Sequence, residues 1–418
     1  MKIKHLLTAS LLLSSLMCLG APKYNPGSFV YIDVENNADF ARENVPVVVK
    51  IDSITSKLKH YTNQRICLFI NDKEINTQFD DTDGDGKKDE VAFMLNMKAN
   101  QKQRIMARIV PTSYNVKNYE QEVYSVLMHR TKNSDGTETT RPDTAISSNK
   151  DDMYNKVYLH GMIFESGPVA YRVYFNNKQT IDVYGKVNNR LEIPITQWHT
   201  TNKQLSEGYG DDVLLVGNSV GVGTFKGWNG SEATHTETFG KRTQRIVSKG
   251  QLRNIMELEI NDWDYQGQKI DAKIRFTQYA RHRDVQVDVF LSDNAKQMLF
   301  CSGVQKFPED MRFFSDENDL VAMWGKGYAQ KDTVKHPNKE TVGLAVAIAP
   351  EYSDGIKEDA LNQLIIMKPD ANGNIKYFFQ AYSLKEKNGF KTPDDYFNYT
   401  KQWKKATLAP VSVSFSTK

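Results

Sequence analysis

The sequence predicts an all-β chain on three observations. Apolar residues alternate with polar ones or come in runs of four to eight, Asn, Asp, Gly and Lys clusters separate the runs, and a helical pattern longer than one turn is confined to one stretch near the C-terminus. An apolar fraction of 39% with 20 Tyr, 20 Phe and only 13 Pro is that of an ordered core, so a disordered chain is excluded.

The chain opens with Lys2 and Lys4, an apolar run over 6–19, and the small residues Gly20 and Ala21. That order is a charged n-region, an h-region and a cleavage site, so residues 1–21 are expected to be a signal peptide cut near 20 or 21 and the mature protein to be secreted or periplasmic. A spanning helix needs about 20 apolar residues, more than are present. Met17 before Cys18 departs from the small residue that lipid attachment requires. Loss of Lys2 and Lys4 takes the formal charge from +3 to +1, which leaves no electrostatic footprint for nucleic acid. Cys67 and Cys301 are too few for a disulfide framework, so stability must come from burial.

Apolar runs at 29–32, 45–49, 66–70, 91–95 and 105–110 read as strands of a small β-sandwich over 22–130, with a helical turn expected at 40–44. A polar stretch, 131–152, reads as a linker. Beyond it some dozen strands, from 157–164 through 191–195 and 213–216 to 375–382, make a large antiparallel sandwich over 153–418. Thr392-Pro393-Asp394-Asp395 supplies an N-cap, a first-turn proline and two acids, so 396–406 is expected to be a short helix, followed by a last strand over 411–415.

The sharpest local motif is Asp81-Thr82-Asp83-Gly84-Asp85-Gly86-Lys87-Lys88-Asp89. Carboxylates at positions one, three, five and nine, with glycine at six, follow calcium-loop spacing, in which Ca²⁺ gathers six to eight hard oxygens. Asp81, Asp83, Asp85, Asp89 and the Lys87 carbonyl are the candidate ligands of a structural Ca²⁺. Ala92 stands where an EF-hand has its bidentate Glu, and the alternative is a solvated Asp-Gly turn.

Between residues 170 and 186 two faces alternate. Tyr171, Val173, Phe175, Ile181 and Val183 form the apolar set, while Arg172, Tyr174, Asp182, Tyr184 and Lys186 share the other face. A turn at Asn176-Asn177-Lys178 puts Arg172 opposite Asp182, either as a solvated cross-strand ion pair or as a binding face. Just upstream, His160 beside Gly161, with Glu165 following, is a candidate proton-transfer group, set against the commoner structural role of a lone His. No His-x-x-x-His or Cys-x-x-Cys spacing appears, which argues against catalytic zinc. A glycine-dense segment from 207 to 228, with Tyr209, Asp211, Asp212 and Trp228, reads as a cleft wall or as a tightly turned core loop.

On Asp81-Thr82-Asp83-Gly84-Asp85-Gly86, His160-Gly161 with Phe164-Glu165, Tyr171-Arg172-Val173-Tyr174, the 181–186 segment and Tyr209-Gly210-Asp211-Asp212, the chain resembles an exported bacterial family catalogued as domain of unknown function 4861. The resemblance implies a galactose-mutarotase-like β-supersandwich behind a smaller β-domain, in bacteria that degrade plant or algal polysaccharides, often pectin. It implies no settled activity.

The expectation is a protein acting on uronic-acid-containing poly- or oligosaccharide by β-elimination. Arg172 with Lys186 would neutralise the uronate, His160 or Tyr174 would take the C5 proton, and Glu165 and Asp182 would orient them. Asp182, Tyr184, Tyr209, Asp211, Asp212 and Trp228 are the expected sugar contacts. The alternatives are a glycosidase using two of Glu165, Asp182, Asp211 and Asp212, or a glycan-binding module without chemistry.

Overall fold

The computed structural model describes residues 28–59, 64–409 and 411–417. The expected signal peptide, with Lys2, Lys4 and Cys18, lies outside the described residues. The described chain is all-β, with antiparallel sheets and one long helix, Pro393–Leu408.

The N-terminal sandwich packs a five-stranded sheet against the three strands Arg42–Lys50, Glu90–Met97 and Gln78–Asp80. Alternation builds it: Val47 and Val49 point inward into one core with Val30, Ile32, Phe93 and Ile105, and the residues beside them face out. The outermost strand of the five is Val411–Ser416, which pairs antiparallel with Phe29–Asn36. The C-terminus therefore returns to complete the first sandwich, and a division at residue 153 does not separate two self-contained cores.

The large sandwich opposes a nine-stranded sheet to two five-stranded sheets. Isolated bridges Ile181↔Gly221 and Val222↔Val304 join the two smaller sheets into one layer. One core runs between the layers, from Val173 and Val183 through Phe276 and Val287 to Tyr377 and Phe379. Cys67 and Cys301 are buried free thiols in separate clusters.

Several local expectations are corrected. The polar 131–152 stretch holds a hairpin arm, Glu138–Pro142, and the strand Ala145–Ser148, which edges the nine-stranded sheet by pairing with Lys241–Lys249. Residues 40–44 form no helical turn, since strand pairing starts at Arg42. Where 191–195 reads as a strand, Ile193–Thr196 is a helical turn, with Pro194 inside it and the Glu165 carboxylate accepting the Glu192 and Ile193 N–H groups. Residues 213–216 form no strand. The long helix matches its cap: Thr392 Oγ1 accepts from the Asp395 N–H at 3.2 Å.

Candidate functional site

Strands Val169–Tyr174 and Ile181–Gly185 pair with Arg172 opposite Asp182, so the polar residues stand together on the outward face of a five-stranded sheet. The segment after them folds back over that face and lays Trp198, fully buried, against Tyr184. Arg172 ends up between two rings, its guanidinium carbon 4.5 Å from the Tyr174 centroid and 4.4 Å from Trp198. It is 2% exposed.

One nitrogen of that guanidinium organises the cluster. Arg172 Nη2 donates to the Tyr174 hydroxyl at 2.6 Å and to Asp182 Oδ2 at 2.5 Å, and Tyr174 in turn donates to the same carboxylate oxygen at 2.8 Å. Asp212 Oδ2 lies 3.6 Å from the same nitrogen and accepts from Gln330 at 3.1 Å. The two carboxylate oxygens are thus no more than about 6 Å apart. Arg172 Nε and Nη1 make no hydrogen bond among the described residues. Burial, then the charge of Asp182, drives the Asp212 carboxyl well above the usual carboxylate range, against the pull of Arg172. Burial and Asp182 likewise push the Tyr174 phenol far up, which makes it a hydrogen-bond donor and a poor base.

His160 reaches this cluster from a strained approach. Leu159 and His160 have φ of 54° and 69°, left-handed conformations that are uncommon outside glycine, immediately before the strand Gly161–Ser166. Gly161 is required there, because a Cβ would come within 2.0 Å of the Val173 carbonyl. The imidazole stacks on Tyr154 at 3.9 Å, and Tyr154 stacks on Tyr174 at 5.7 Å. His160 Nδ1 is 2.7 Å from the Tyr154 carbonyl, an acceptor only, so Nδ1 carries the proton and Nε2 the lone pair. Burial, with the charges of Arg172 and Arg130, lowers its pKa below 6.5 and keeps it neutral.

The rim comes from distant segments. His199 is exposed as a residue, yet its ring is held down to about 4, first by desolvation and then by Arg172, His160 and His336. Arg130 is partly exposed, 6.0 Å from the Tyr158 ring. Gln330 and His336 lie in the connection between strands Leu320–Tyr328 and Lys339–Ile348. Tyr154, Arg130, Gln330 and His336 had no local sequence signal, whereas Trp198 stands near the glycine-dense segment read as a cleft wall.

The other expected site residues lie elsewhere in function or in space. Glu165 and Lys186 are both buried and 2.6 Å apart, with Lys186 Nζ also donating to the Ser166 and Arg190 carbonyls. Burial raises the Glu165 carboxyl and lowers the Lys186 amine, while each opposes the other's shift. Every strong group there is satisfied by protein, so neither side chain is available to substrate. The buried Tyr184 hydroxyl is engaged with Thr200 and the Gly210 carbonyl. Arg190 covers Tyr209 at 4.0 Å. Asp211 is partly buried, and burial raises its pKa. Trp228 is buried in a different sheet against Cys301 and Leu364, and its backbone binds the Tyr265 hydroxyl, so it walls no cleft here. The glycine run is a tightly turned loop: a Cβ on Gly221 would sit 2.2 Å from the Ile181 carbonyl.

In the acidic loop Asp81, Asp83 and Asp89 bring ligand oxygens within 4.8 Å of one another. Asp85 turns away toward Lys87, whose N–H it accepts at 2.8 Å. Asp81 accepts from Gly84 and Gly86, and Asp89 accepts from the Thr82 N–H and hydroxyl, which lowers the Asp89 carboxyl.

Comparison with known proteins adds the following. A protein of glycosyl hydrolase family 38 from Enterococcus faecalis matches 94% of this chain and 48% of its own, at 9% identity and a TM-score of 0.50. An alpha-mannosidase from Enterococcus faecalis V583 matches 94% and 46%, at 9% identity and a TM-score of 0.48. The chain spans about half the length of these proteins, and the likeness to the first is one of fold. No curated protein matches the sequence. The model of the family described as a domain of unknown function, DUF4861, matches residues 34–413, and the chain belongs to that family.

Proposed function

We propose that this protein is a carbohydrate-active enzyme that cleaves uronic-acid-containing glycans by β-elimination at the Arg172 cluster. The observation that carries this reading is His160: an imidazole fixed through Nδ1–H that leaves Nε2 with its lone pair, stacked through Tyr154 onto the Arg172 cluster, in which burial raises the Asp212 carboxyl. An acid and a base whose environments push their pKa values apart are what proton transfer at neutral pH requires. His160 Nε2 takes the C5 proton of the uronate, the C4–O bond breaks as a C4–C5 double bond forms, and Asp212 gives its proton to the departing oxygen. Arg172 is buried and spends Nη2 on Tyr174 and Asp182, so it positions these groups from within, and the partly exposed Arg130 is assigned to the uronate carboxylate.

The likeness to a glycosyl hydrolase family 38 protein fits a sugar-processing context. A second reading, glycoside hydrolysis with Asp182 as nucleophile and Asp212 as acid, is supported by a separation of no more than about 6 Å, short of the roughly 6.5–9.5 Å gap of inverting enzymes. Incubation with polygalacturonate, rhamnogalacturonan and alginate separates the two. Elimination raises near-ultraviolet absorbance from unsaturated ends, whereas new reducing ends without that absorbance would replace it with hydrolysis. Retention on the glycan with no product of either kind would sink both.

The acidic loop is assigned a structural Ca²⁺ held by Asp81, Asp83 and Asp89. Its role is to brace the loop, which Arg275 ties to the large sheet through the Thr82 carbonyl at 3.0 Å.

A further inference from the structure

A cavity of about 1030 Å³ lies away from the His160 cluster, on the outward face of the nine-stranded sheet. Strand Arg42–Lys50 of the small sandwich and helix Pro393–Leu408 form its other walls. Its size is at the upper end for small-molecule sites, enough for several sugar rings and far more than a simple ion fills. Tyr279, Phe378 and Trp403 offer ring surface, and Gln286 and Gln402 offer amides.

Among the described residues its charged side chains are paired except for Arg42 and the exposed Glu43. Arg253 is paired with Asp80 and Glu90, Arg275 with Glu257, Arg281 with Glu122, Arg283 with Glu386 and Lys376 with Asp288. Arg42 lines the same cavity without an ion-pair partner among the described residues, and its Nη1 is buried without a hydrogen bond. The His282–Asp284 pair and Arg42 both line the cavity, and Arg42's charge bears on His282. A half-buried guanidinium left uncompensated inside an aromatic cavity is the arrangement that receives an anion. Burial of Arg42 lowers its pKa, as expected for a cation missing its counter-charge.

We propose that this cavity binds a carboxylate-bearing oligosaccharide as a second glycan site, with Arg42 holding a carboxylate and the aromatic rings holding sugar faces. The choice of a uronate rests on the proposed function, and the site itself rests on the cavity and Arg42. The test uses the full chain carrying His160→Ala and Arg130→Ala, so that the probe is neither consumed nor held by the uronate contact of the first site, and titrates it calorimetrically with a galacturonate trimer and a neutral galactose trimer. The acidic trimer should bind at least about tenfold more tightly than the neutral one, the effect of one charge-assisted hydrogen bond. Adding Arg42→Gln should erase that preference, and Arg42→Lys should restore part of it. Gln402→Trp, an exposed substitution that fills the cavity, should weaken both probes, and it decides the matter if the Arg42 variants melt early. Unchanged affinity in the Arg42 and Gln402 variants, or equal affinity for the two trimers, overturns the proposal. Turnover by wild type alongside such a result leaves the His160 mechanism standing, whereas cavity binding with no turnover of any glycan sinks that mechanism alone.

Discussion

Two buried ion pairs share the outward face of one sheet, Glu165 with Lys186 and Asp182 with Arg172, and they differ in what surrounds them. Around Glu165 the partners are backbone: the N–H groups of Glu192 and Ile193 point at the carboxylate, and two carbonyls accept from the lysine. Around Asp182 the partners are side chains that themselves titrate or polarise, a phenol, a second carboxyl and, one stacked ring beyond, a neutral imidazole. Burial is nearly equal in the two places. What separates them is saturation: the first pair closes a helical turn and has no capacity left, whereas the second stands next to groups that can still exchange a proton, the half-buried His160 and the buried Asp212.

The comparison can be broken in three ways, the largest effect first. His160→Ala should lower turnover by about 10²- to 10⁴-fold, the contribution of a positioned base, with little change in melting temperature. Because the imidazole pKa is held below 6.5 and the Asp212 carboxyl is raised, kcat/KM should fall on the acid side as His160 protonates and on the alkaline side as Asp212 ionises. Asp212→Asn should remove the alkaline limb, and a profile that keeps it would unseat Asp212 as the acid.

Glu165→Gln tests the other half of the contrast. It strands Lys186 in a dry site and should cost about 3–5 kcal/mol in denaturant unfolding. The folded fraction should keep its kcat, and a proportionate loss of kcat with stability intact would move Glu165 back into the reaction.

The smallest effect expected is at the acidic loop. Ca²⁺ should raise the wild-type melting temperature by a few degrees, since a ligand at a hundred times its Kd adds about 2.7 kcal/mol, and Asp83→Ala should abolish the response. A wild type indifferent to chelator would leave the loop as a set of side-chain-capped turns.

Much of the architecture was legible because period-two alternation needs no distant information. It places Tyr171, Val173, Ile181 and Val183 in the core and sets Arg172 against Asp182, as observed. The capped helix was legible for the same reason, its signal being local to 392–395. Residues 191–195 were misread because the acceptor that stabilises the helical turn there, Glu165, sits 27 residues away. Trp228 was misread because aromatic residues beside glycines look alike whether they wall a cleft or fill a core.

By itself the sequence determined the strands, their faces, one register and the crowding of carboxylates in the acidic loop, all consequences of geometry within a few residues. Only the tertiary structure decided that Val411–Ser416 closes the first sandwich, that Trp198 and Gln330 complete the Arg172 cluster, and that Arg42 faces a cavity without a counter-charge. Whether a polar group is spent or available depends on which remote segment packs against it, and burial with pairing, more than residue type, sets its charge state.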